Sequence, residues 1–275
     1  MSMVDAANGR VQRQFLAYDR HFRGGVRVAV ADVTGDGVAD VITAPGPGMA
    51  SWIKVFDGAN GREIRTFLGF HPLWTNGVYV AAGDVTGDGF ADIVLSSDAP
   101  SAGLVRVLDG RTLGSVGTFY AYGGTRWGSR VWVSDMNGDG RADIVTAPVT
   151  PVAADIRIFD SLSGKLLGQL ASGVPSSRLA VGDVTGDGRG EIMMSDPVSS
   201  TVRVVGMDGR EKARIPFATA VPSRLAARDL NGDRSAEIMT WTPTAGGRWQ
   251  IRVMMGLGIN LTEIPAPNLA DSTLA

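Results

Sequence analysis

An all-β fold built from repeated four-stranded units is the fold class that the sequence predicts. A nine-residue acidic motif occurs five times, beginning at Asp32, Asp84, Asp135, Asp183 and Asp229. Successive copies start 52, 51, 48 and 46 residues apart. Short apolar runs flank each motif, and no window shows the 3.6-residue apolar period of a helix. A repeat of about 40–50 residues that holds four strands is typical of a β-propeller, so we expect five four-stranded blades.

The first repeat shows how four strands follow from one period. Val26–Ala31 is an apolar run that leads into the acidic motif, and a second apolar run, 39–44, leaves it. After a Pro/Gly loop, Trp52–Phe56 has the alternation of a β-strand, and the Asp-Gly and Asn-Gly turns after it predict a hairpin to a fourth strand at 63–67. The third strand recurs at 53–55, 105–107, 156–158, 202–204 and 251–253.

The two ends of the chain predict how the ring closes. Residues 3–18 are similar to the third-to-fourth strand segment 55–70, so a strand at 11–17 is expected to complete the last blade and remove its exposed edge. Residues 259–264 are the alternative for that place. We expect one domain over residues 3–265 and a C-terminal tail over 266–275. The start in mid-blade also leaves open that the chain is an excerpt from a longer array.

Composition excludes several other classes of protein and site. Hydrophobic residues make up 44% of the 275 residues, which is enough for a core. The sequence has no run of eighteen apolar residues, the length that a membrane-spanning helix needs. The N-terminus shows no signal-peptide pattern. The absence of cysteine excludes disulfides and thiolate metal sites, and two histidines are too few for a three-histidine zinc site.

The acidic motifs have the pattern of a site for a hard cation. Positions 1, 5 and 9 are carboxylates in all five copies, position 3 is Thr or Asn, and position 7 varies, as expected if only its carbonyl oxygen is used. Alternating oxygen ligands around a tight glycine turn match the way Ca²⁺ is held. The candidate ligands are Asp32, Thr34, Asp36, Val38 and Asp40; Asp84, Thr86, Asp88, Phe90 and Asp92; Asp135, Asn137, Asp139, Arg141 and Asp143; Asp183, Thr185, Asp187, Arg189 and Glu191; and Asp229, Asn231, Asp233, Ser235 and Glu237.

Two other interpretations of the motif are weaker. An EF-hand needs a bidentate Glu at position 12, where this chain has Thr, Leu or Met, and a helix where it has a strand pattern. A simple Asp/Gly turn needs one Asp or Asn, whereas three carboxylates within nine residues repel one another unless a cation neutralises them.

The period and the D-x-[TN]-G-D-G-x-x-[DE] motif resemble the FG-GAP or VCBS-type repeats of integrin α-subunit propellers and of many bacterial secreted proteins. The resemblance implies a β-propeller with one Ca²⁺ loop between the first two strands of each blade, up to five ions in all. The fifth motif departs from the pattern, because Arg234 stands where glycine belongs. An arginine is strained at positive φ and brings a positive charge to the site, so we expect the fifth site to be the weakest.

The functional expectation is a calcium-binding module for adhesion or scaffolding, outside the cell or on its surface, and not an enzyme. The alternatives are a lectin and, less favoured, a polysaccharide-active enzyme. No catalytic motif is present, and His21 and His71 fall in separate loops. We expect an anionic glycan or an acidic protein surface as partner, with no membrane span and no dedicated nucleic-acid motif; the oligomeric state stays open.

One further repeat feature lies five residues before each acidic motif, at Arg27, Tyr79, Arg130, Arg178 and Arg224. If the first strand of each blade is innermost, these side chains ring one mouth of the central channel, opposite the acidic loops. They either bind an anion there or cap the strand ends.

Overall fold

A computed structural model describes residues 2–4, 11–150, 153–217, 222–243, 249–255 and 260–264. The described chain forms five four-stranded antiparallel sheets and one two-stranded sheet. The two-stranded sheet contains β1 (Ser2–Val4) and β2 (Val11–Gln14). The five blades are, in chain order, blade 1 with β3–β6 (Val26–Ala31, Asp40–Pro45, Trp52–Phe56, Glu63–Leu68), blade 2 with β7–β10 (Val78–Gly83, Asp92–Ser97, Leu104–Leu108, Ser115–Tyr120), blade 3 with β11–β14 (Ser129–Ser134, Asp143–Pro148, Asp155–Phe159, Leu166–Ala171), blade 4 with β15–β18 (Leu179–Gly182, Glu191–Asp196, Thr201–Val205, Glu211–Pro216) and blade 5 with β19–β22 (Arg224–Arg228, Glu237–Pro243, Trp249–Met255, Asn260–Ile264).

The predicted five-bladed β-propeller is confirmed. In every blade the strands pair in sequence order, and the first strands of blades 1–2, 2–3, 3–4 and 4–5 contact one another, which places them innermost. Within the described residues the one helical element is a 3₁₀ turn, Ser176–Arg178, and no helix there is long and apolar enough to span a bilayer.

The hydrophobic core lies between the blades. The second strands of blades 1 to 3 are buried along their whole length because neighbouring blades cover both faces. Ile42 and Ile53 of blade 1, for example, pack in one cluster with Val78 and Ile93 of blade 2. Similar clusters join blades 2 and 3, blades 3 and 4, and blades 4 and 5.

The expectation that an N-terminal strand closes the last blade is wrong. The outer place in blade 5 is taken by β22, which pairs with β21, whereas β2 pairs with β1. The alternative segment, residues 259–264, is therefore the one that supplies this strand. The reason is connectivity, since consecutive strands joined by a short turn pair more readily than strands from opposite ends of a chain. The predicted tail, 266–275, lies outside the described residues.

The N-terminal segment nevertheless contacts blade 1 as an outer strand contacts the next blade. The Tyr18 hydroxyl donates a hydrogen bond to the Trp52 carbonyl (2.7 Å), as that of Tyr122 in blade 2 does to the equivalent Asp155 carbonyl in blade 3 (2.6 Å). The contacts between aromatic side chains match as well. The ring centroids of Phe15 and Phe56 lie 4.7 Å apart, and those of Phe119 and Phe159 lie 4.8 Å apart. The segment therefore occupies the outer half of a blade position beside blade 1.

The junction between blade 5 and blade 1 differs from the other four. In those four, the backbone N–H at position 8 of one acidic loop donates to the position-1 carbonyl of the preceding loop, in the pairs Ala91–Asp32, Ala142–Asp84, Gly190–Asp135 and Ala236–Asp183. No such bond joins Ala39 to Asp229, although both residues are described. Instead the Arg228 guanidinium donates to the Val30 carbonyl across the junction. This junction is accordingly the least tightly packed.

A matched pair of substitutions tests this difference. Val28 and Val80 occupy the same register position in the innermost strands of blades 1 and 2, but Val28 is 44% exposed and Val80 is 9% exposed. We expect Val80→Thr to lower the free energy of unfolding by about 1–3 kcal/mol, because it buries an unpaired hydroxyl. Val28→Thr is expected to change it by less than about 0.5 kcal/mol. Urea unfolding of the two variants measures the difference, and equal losses would mean that the junction is closed.

Candidate metal centres

The five acidic loops, residues 32–40, 84–92, 135–143, 183–191 and 229–237, lie at one end of the blades and are called loops 1 to 5. Their position-1 aspartates organise the turn. Asp32 accepts hydrogen bonds from the backbone N–H groups of Gly35 (2.6 Å) and Gly37 (2.8 Å), and the other four loops repeat this pattern. Slight burial raises the pKa of Asp32, but the bonds from Gly37 and Gly35 outweigh it and lower the pKa below its usual range. Asp32 is therefore a carboxylate at neutral pH.

The position-9 carboxylates are buried where each loop enters the second strand of its blade. Asp40, Asp92, Asp143 and Glu191 are at most 1% exposed. In loop 1, Asp40 accepts from the N–H groups of Val33 and Thr34, both at 3.1 Å, and its second oxygen accepts from Gly58 in the turn between the third and fourth strands. Position 9 thus links the loop to the outer half of its own blade.

Position 7 has a second role that the sequence pattern does not reveal. Its side chain lies over the position-4 glycine of the preceding loop, where a β-carbon on Gly35 would meet the Phe90 ring at 2.2 Å, and one on Gly138 would meet Arg189 at 2.9 Å. The side chain at position 7 therefore packs against the preceding loop, in addition to any role of its carbonyl oxygen as a metal ligand. Gly232 is the position-4 glycine of loop 5, at the junction between blades 5 and 1. A β-carbon there would meet no atom within 4 Å, so Val38 does not pack on it in this way.

Loop 4 is the place where three carboxylates converge. Among the described residues, Asp183, Asp187 and Glu191 form the one acidic cluster whose ligand oxygens all lie within 4.8 Å of one another. The Lys212 ammonium donates to Asp187 (2.6 Å) and to Glu191 (2.8 Å), so a positive charge from the chain itself joins two members of this cluster. Those hydrogen bonds raise the pKa of Lys212, and the bond from Lys212 lowers the pKa of Asp187.

Sequence reasoning missed Lys212 because it lies on β18, outside the motif. Strand pairing aligns it with Ile64, Val116 and Leu167 in the fourth strands of blades 1 to 3. Two features of the sequence could have indicated this contact. Lys212 stands where the fourth strands of blades 1 to 3 have apolar residues, and position 9 is Glu191 where loops 1 to 3 have aspartate. The longer arm of Glu191 and the reach of Lys212 bring the two charges together.

Loops 1 to 3 have no lysine of this kind among the described residues. In loop 3, burial raises the pKa of Asp143 to about 6, and the nearby carboxylates Asp139, Asp135 and Asp160 raise it further against a hydrogen bond from Met136. Burial likewise raises the pKa of Asp92 in loop 2. In loop 3 the Arg141 guanidinium pairs with Asp139 at 3.1 Å, so the negative charge there is only partly balanced, and the remaining oxygen donors fit a hard divalent cation.

Loop 5 differs in its backbone and in its donors. Arg234 adopts a φ of 73°, the left-handed conformation that glycine has at the same position of the other loops. The Asn231 amide N–H₂ donates to Asp233 and to Glu237, both at 2.9 Å, so the position-3 side chain is bonded to two of the three carboxylates. These features agree with the expectation that the fifth site is the weakest, which stays a prediction.

Comparison with known protein families identifies the repeat. Residues 84–146, which contain loops 2 and 3, match the FG-GAP-like repeat. The protein is a β-propeller that contains an FG-GAP-like repeat at residues 84–146. The three loops outside the matched segment repeat the same motif and the same position-1 hydrogen bonds. No curated protein matches the chain in a sequence search.

Solved structures are similar to this propeller at low identity. The rhamnogalacturonan lyase PL11 of Bacillus licheniformis is 17% identical with a TM-score of 0.51, over 85% of this chain and 50% of that one. The V. cholerae biofilm matrix protein Bap1 is 23% identical with a TM-score of 0.46, over 86% and 38%. The Dos1 propeller is 11% identical with a TM-score of 0.51, over 87% and 58%. The chain spans half or less of the length of the first two, and these likenesses concern the fold alone.

A matched pair of lysine variants tests the role of Lys212. We expect Lys212→Met to lower the free energy of unfolding of the metal-free propeller by about 1–3 kcal/mol, because buried Glu191 loses its charged partner. In calcium the variant is expected to bind one more ion per chain than the wild type. Lys165→Met, which removes an exposed lysine, should change neither quantity. Calorimetric titration counts the ions, and an unchanged count in Lys212→Met would exclude competition between Lys212 and calcium.

Proposed function

We propose that this FG-GAP repeat propeller is a calcium-stabilised binding module, of the adhesion or scaffolding type, that acts outside the cell or on a cell surface and not as an enzyme. The observation that carries the proposal is the contrast between loop 4 and loop 3. In loop 4 an ammonium group pairs with two of the three carboxylates, whereas in loop 3 the buried Asp143 faces three further carboxylates, of which Asp139 is paired with Arg141. A divalent cation would supply in loop 3 what Lys212 supplies in loop 4.

Calcium is the cation that the donor set favours. The side chains at positions 1, 3, 5 and 9 of loops 1 and 2 are carboxylates and threonine, so every available donor atom is oxygen. In those loops Asp32, Asp36 and Asp40, and Asp84, Asp88 and Asp92, would hold the ion together with the position-3 side chain and the position-7 carbonyl. The ion would balance the charge of the loop and cross-link its two ends. Weak sites of this kind fill at the millimolar calcium concentrations found outside cells.

The distribution of charge supports an anionic partner. The five loops hold 15 of the 28 acidic residues and 3 of the 26 basic residues, which leaves 13 acidic and 23 basic residues, a net charge of +10, elsewhere. Calcium in the loops would reduce the negative charge at that end, and three ions would already change the formal charge of the whole chain from −2 to +4. An acidic polysaccharide or an acidic protein surface is the partner class that such a field attracts.

Binding to immobilised polymers tests this proposal. We expect the propeller in millimolar calcium to bind hyaluronan, a carboxylate polymer, and not dextran, which is neutral, and we expect binding to weaken as sodium chloride is raised. Arg210→Gln, at an exposed turn, lowers the net charge by one and controls for general electrostatics. Equal binding to both polymers would favour a lectin, and the absence of binding to either would contradict the inferred partner class.

A lectin is the second candidate, because one cleft on the loop face has suitable walls. A cavity of about 430 Å³ between blades 1 and 2 is lined by Thr34 and Asp88 of the loops and by Arg65, Asp109 and Arg111. Hydroxyl, carboxylate and guanidinium groups around a space of this size match the hydrogen-bonding groups of a sugar ring. Protection of this cleft from hydrogen exchange by a neutral oligosaccharide would favour the lectin over the anion-binding module.

The positions of the two histidines support binding over catalysis. Both His21 and His71 are exposed, and they follow β2 and β6 in separate loops. The His21 ring accepts a hydrogen bond from Arg20, and the His71 ring accepts one from the backbone N–H of Leu73. Neither ring has a hydroxyl nucleophile as a hydrogen-bond partner among the described residues.

A further inference from the structure

The mouth of the central channel opposite the acidic loops gathers arginines from several blades. Arg27, Tyr79, Arg130 and Arg224 occupy the same register position of the innermost strands, paired with Ala44, Ser96, Ala147 and Trp241 respectively. Arg178 ends the 3₁₀ turn just before the innermost strand of blade 4 and holds the corresponding place there. One level of the ring therefore carries four guanidinium groups and one phenol.

These side chains contact one another around the channel. The Tyr79 ring contacts two cations, with the Arg27 guanidinium carbon 3.6 Å and that of Arg130 4.8 Å from the ring centre. Burial lowers the pKa of Arg130, and the charges of Arg27 and Arg224 lower it further against Tyr79 and Asp98, which places cations from blades 1, 3 and 5 within electrostatic range.

The positive charge at this mouth is only partly balanced. Asp98 forms a salt bridge with Arg27. Arg130 and Arg178 form no salt bridge with any described residue, and Arg178 donates only to the Pro222 carbonyl. Nη1 of Arg27 and Nε of Arg130 are buried without a hydrogen-bond partner, as is the hydroxyl of Ser96 opposite Tyr79. The three arginines Arg27, Arg130 and Arg178 with the one carboxylate of Asp98 leave a net charge of +2, and unpaired buried polar groups are costly.

We propose that this channel mouth binds a small oxyanion, the carboxylate, sulfate or phosphate group of a ligand, between the guanidinium groups of Arg27, Arg130 and Arg224. Planar guanidinium forks match such groups in geometry and in charge. The Tyr79 ring contacts both Arg27 and Arg130, and the three arginines come from different blades, so the packing of the blades sets the geometry of the site. The inference deepens the proposed binding function, on which its biological role rests, but the site uses none of the acidic-loop residues.

Calorimetric titration with sulfate and with glucuronate, each against sodium chloride at equal ionic strength, tests the site and distinguishes an ester-type oxyanion from a carboxylate. We expect one binding event per wild-type chain for at least one of the two probes. Arg130→Gln should weaken it by at least about tenfold. Arg210→Gln removes the same charge from an exposed turn between the third and fourth strands and should leave it unchanged. Glucose is the neutral control and should not bind.

A second variant distinguishes loss of the site from loss of folding, and a calcium-free buffer distinguishes the oxyanion site from the metal sites. If Arg130→Gln fails to fold, Arg224→Gln, whose side chain is exposed, is expected to show the same loss. Equal affinity in the wild type and in the folded mouth variants, or no heat beyond that of chloride, would overturn the proposal. Titration is repeated in resin-treated, calcium-free buffer, because soluble chelators are themselves oxyanions. Oxyanion binding without any calcium effect would contradict the metal sites alone, and calcium binding without oxyanion binding would contradict the channel site alone.

Discussion

Removing calcium is expected to lower the melting temperature of the propeller by about 15 °C. A ligand that binds only the folded state adds about 2.7 kcal/mol per site when its free concentration is 100-fold above Kd, so three filled loops add about 8 kcal/mol. For a chain of this size 1 kcal/mol corresponds to about 2 °C. Melting in millimolar calcium and in excess chelator measures the difference. Identical melting temperatures would mean that the loops are acidic turns without a metal.

One pair of variants assigns this stabilisation to the loops. The Asp36 carboxylate in loop 1 accepts a hydrogen bond from the N–H of Val38 at 2.8 Å, and Asp208, outside the loops, accepts the same kind of bond from Arg210 at 3.0 Å. Asparagine keeps the acceptor oxygen in both places and removes the charge. We expect Asp36→Asn to lose about one third of the calcium-dependent increase in melting temperature, and Asp208→Asn to lose none.

A reversal of net charge on calcium binding is the second large effect. The sequence carries 26 basic and 28 acidic residues, a formal charge of −2. Three calcium ions would bring it to +4, four to +6 and five to +8, so the loaded protein should migrate as a cation near pH 7. Electrophoretic mobility, first in calcium-free buffer and then in saturating calcium, measures the change. A protein that remains anionic in calcium would contradict both the site count and the anionic partner class.

The elements of the fold follow from local patterns that are visible in the sequence. Alternation in segments such as Trp52–Phe56 and the repeated motif predict the strands and the blade count, because each blade depends mostly on its own turns and on covering its neighbours. Closure of the ring was harder to predict, because β2 and β22 both carry outer-strand patterns. The choice depends on chain connectivity, which local propensity does not encode.

The candidate sites were predictable in the residues of the motif and not in what surrounds them. The positive φ of Arg234 follows from the turn alone. The contact of Lys212 with Asp187 and Glu191 depends on strand register across blade 4, and the position of Phe90 over Gly35 depends on how two blades pack. These long-range contacts determine how far the chain itself balances the charge of each loop, and therefore in which loops we expect a cation.

Counting the calcium ions bound per chain tests the central claim most directly. Equilibrium dialysis of the metal-free protein against rising calcium should give three ions in the tightest class, assigned to loops 1 to 3, with loop 4 opposed by Lys212 and loop 5 weakest. Asp36→Asn should reduce that class to two, and Asp208→Asn should leave it at three. A wild-type chain that binds no calcium at millimolar concentration, or that binds the same number in both variants, would contradict the account.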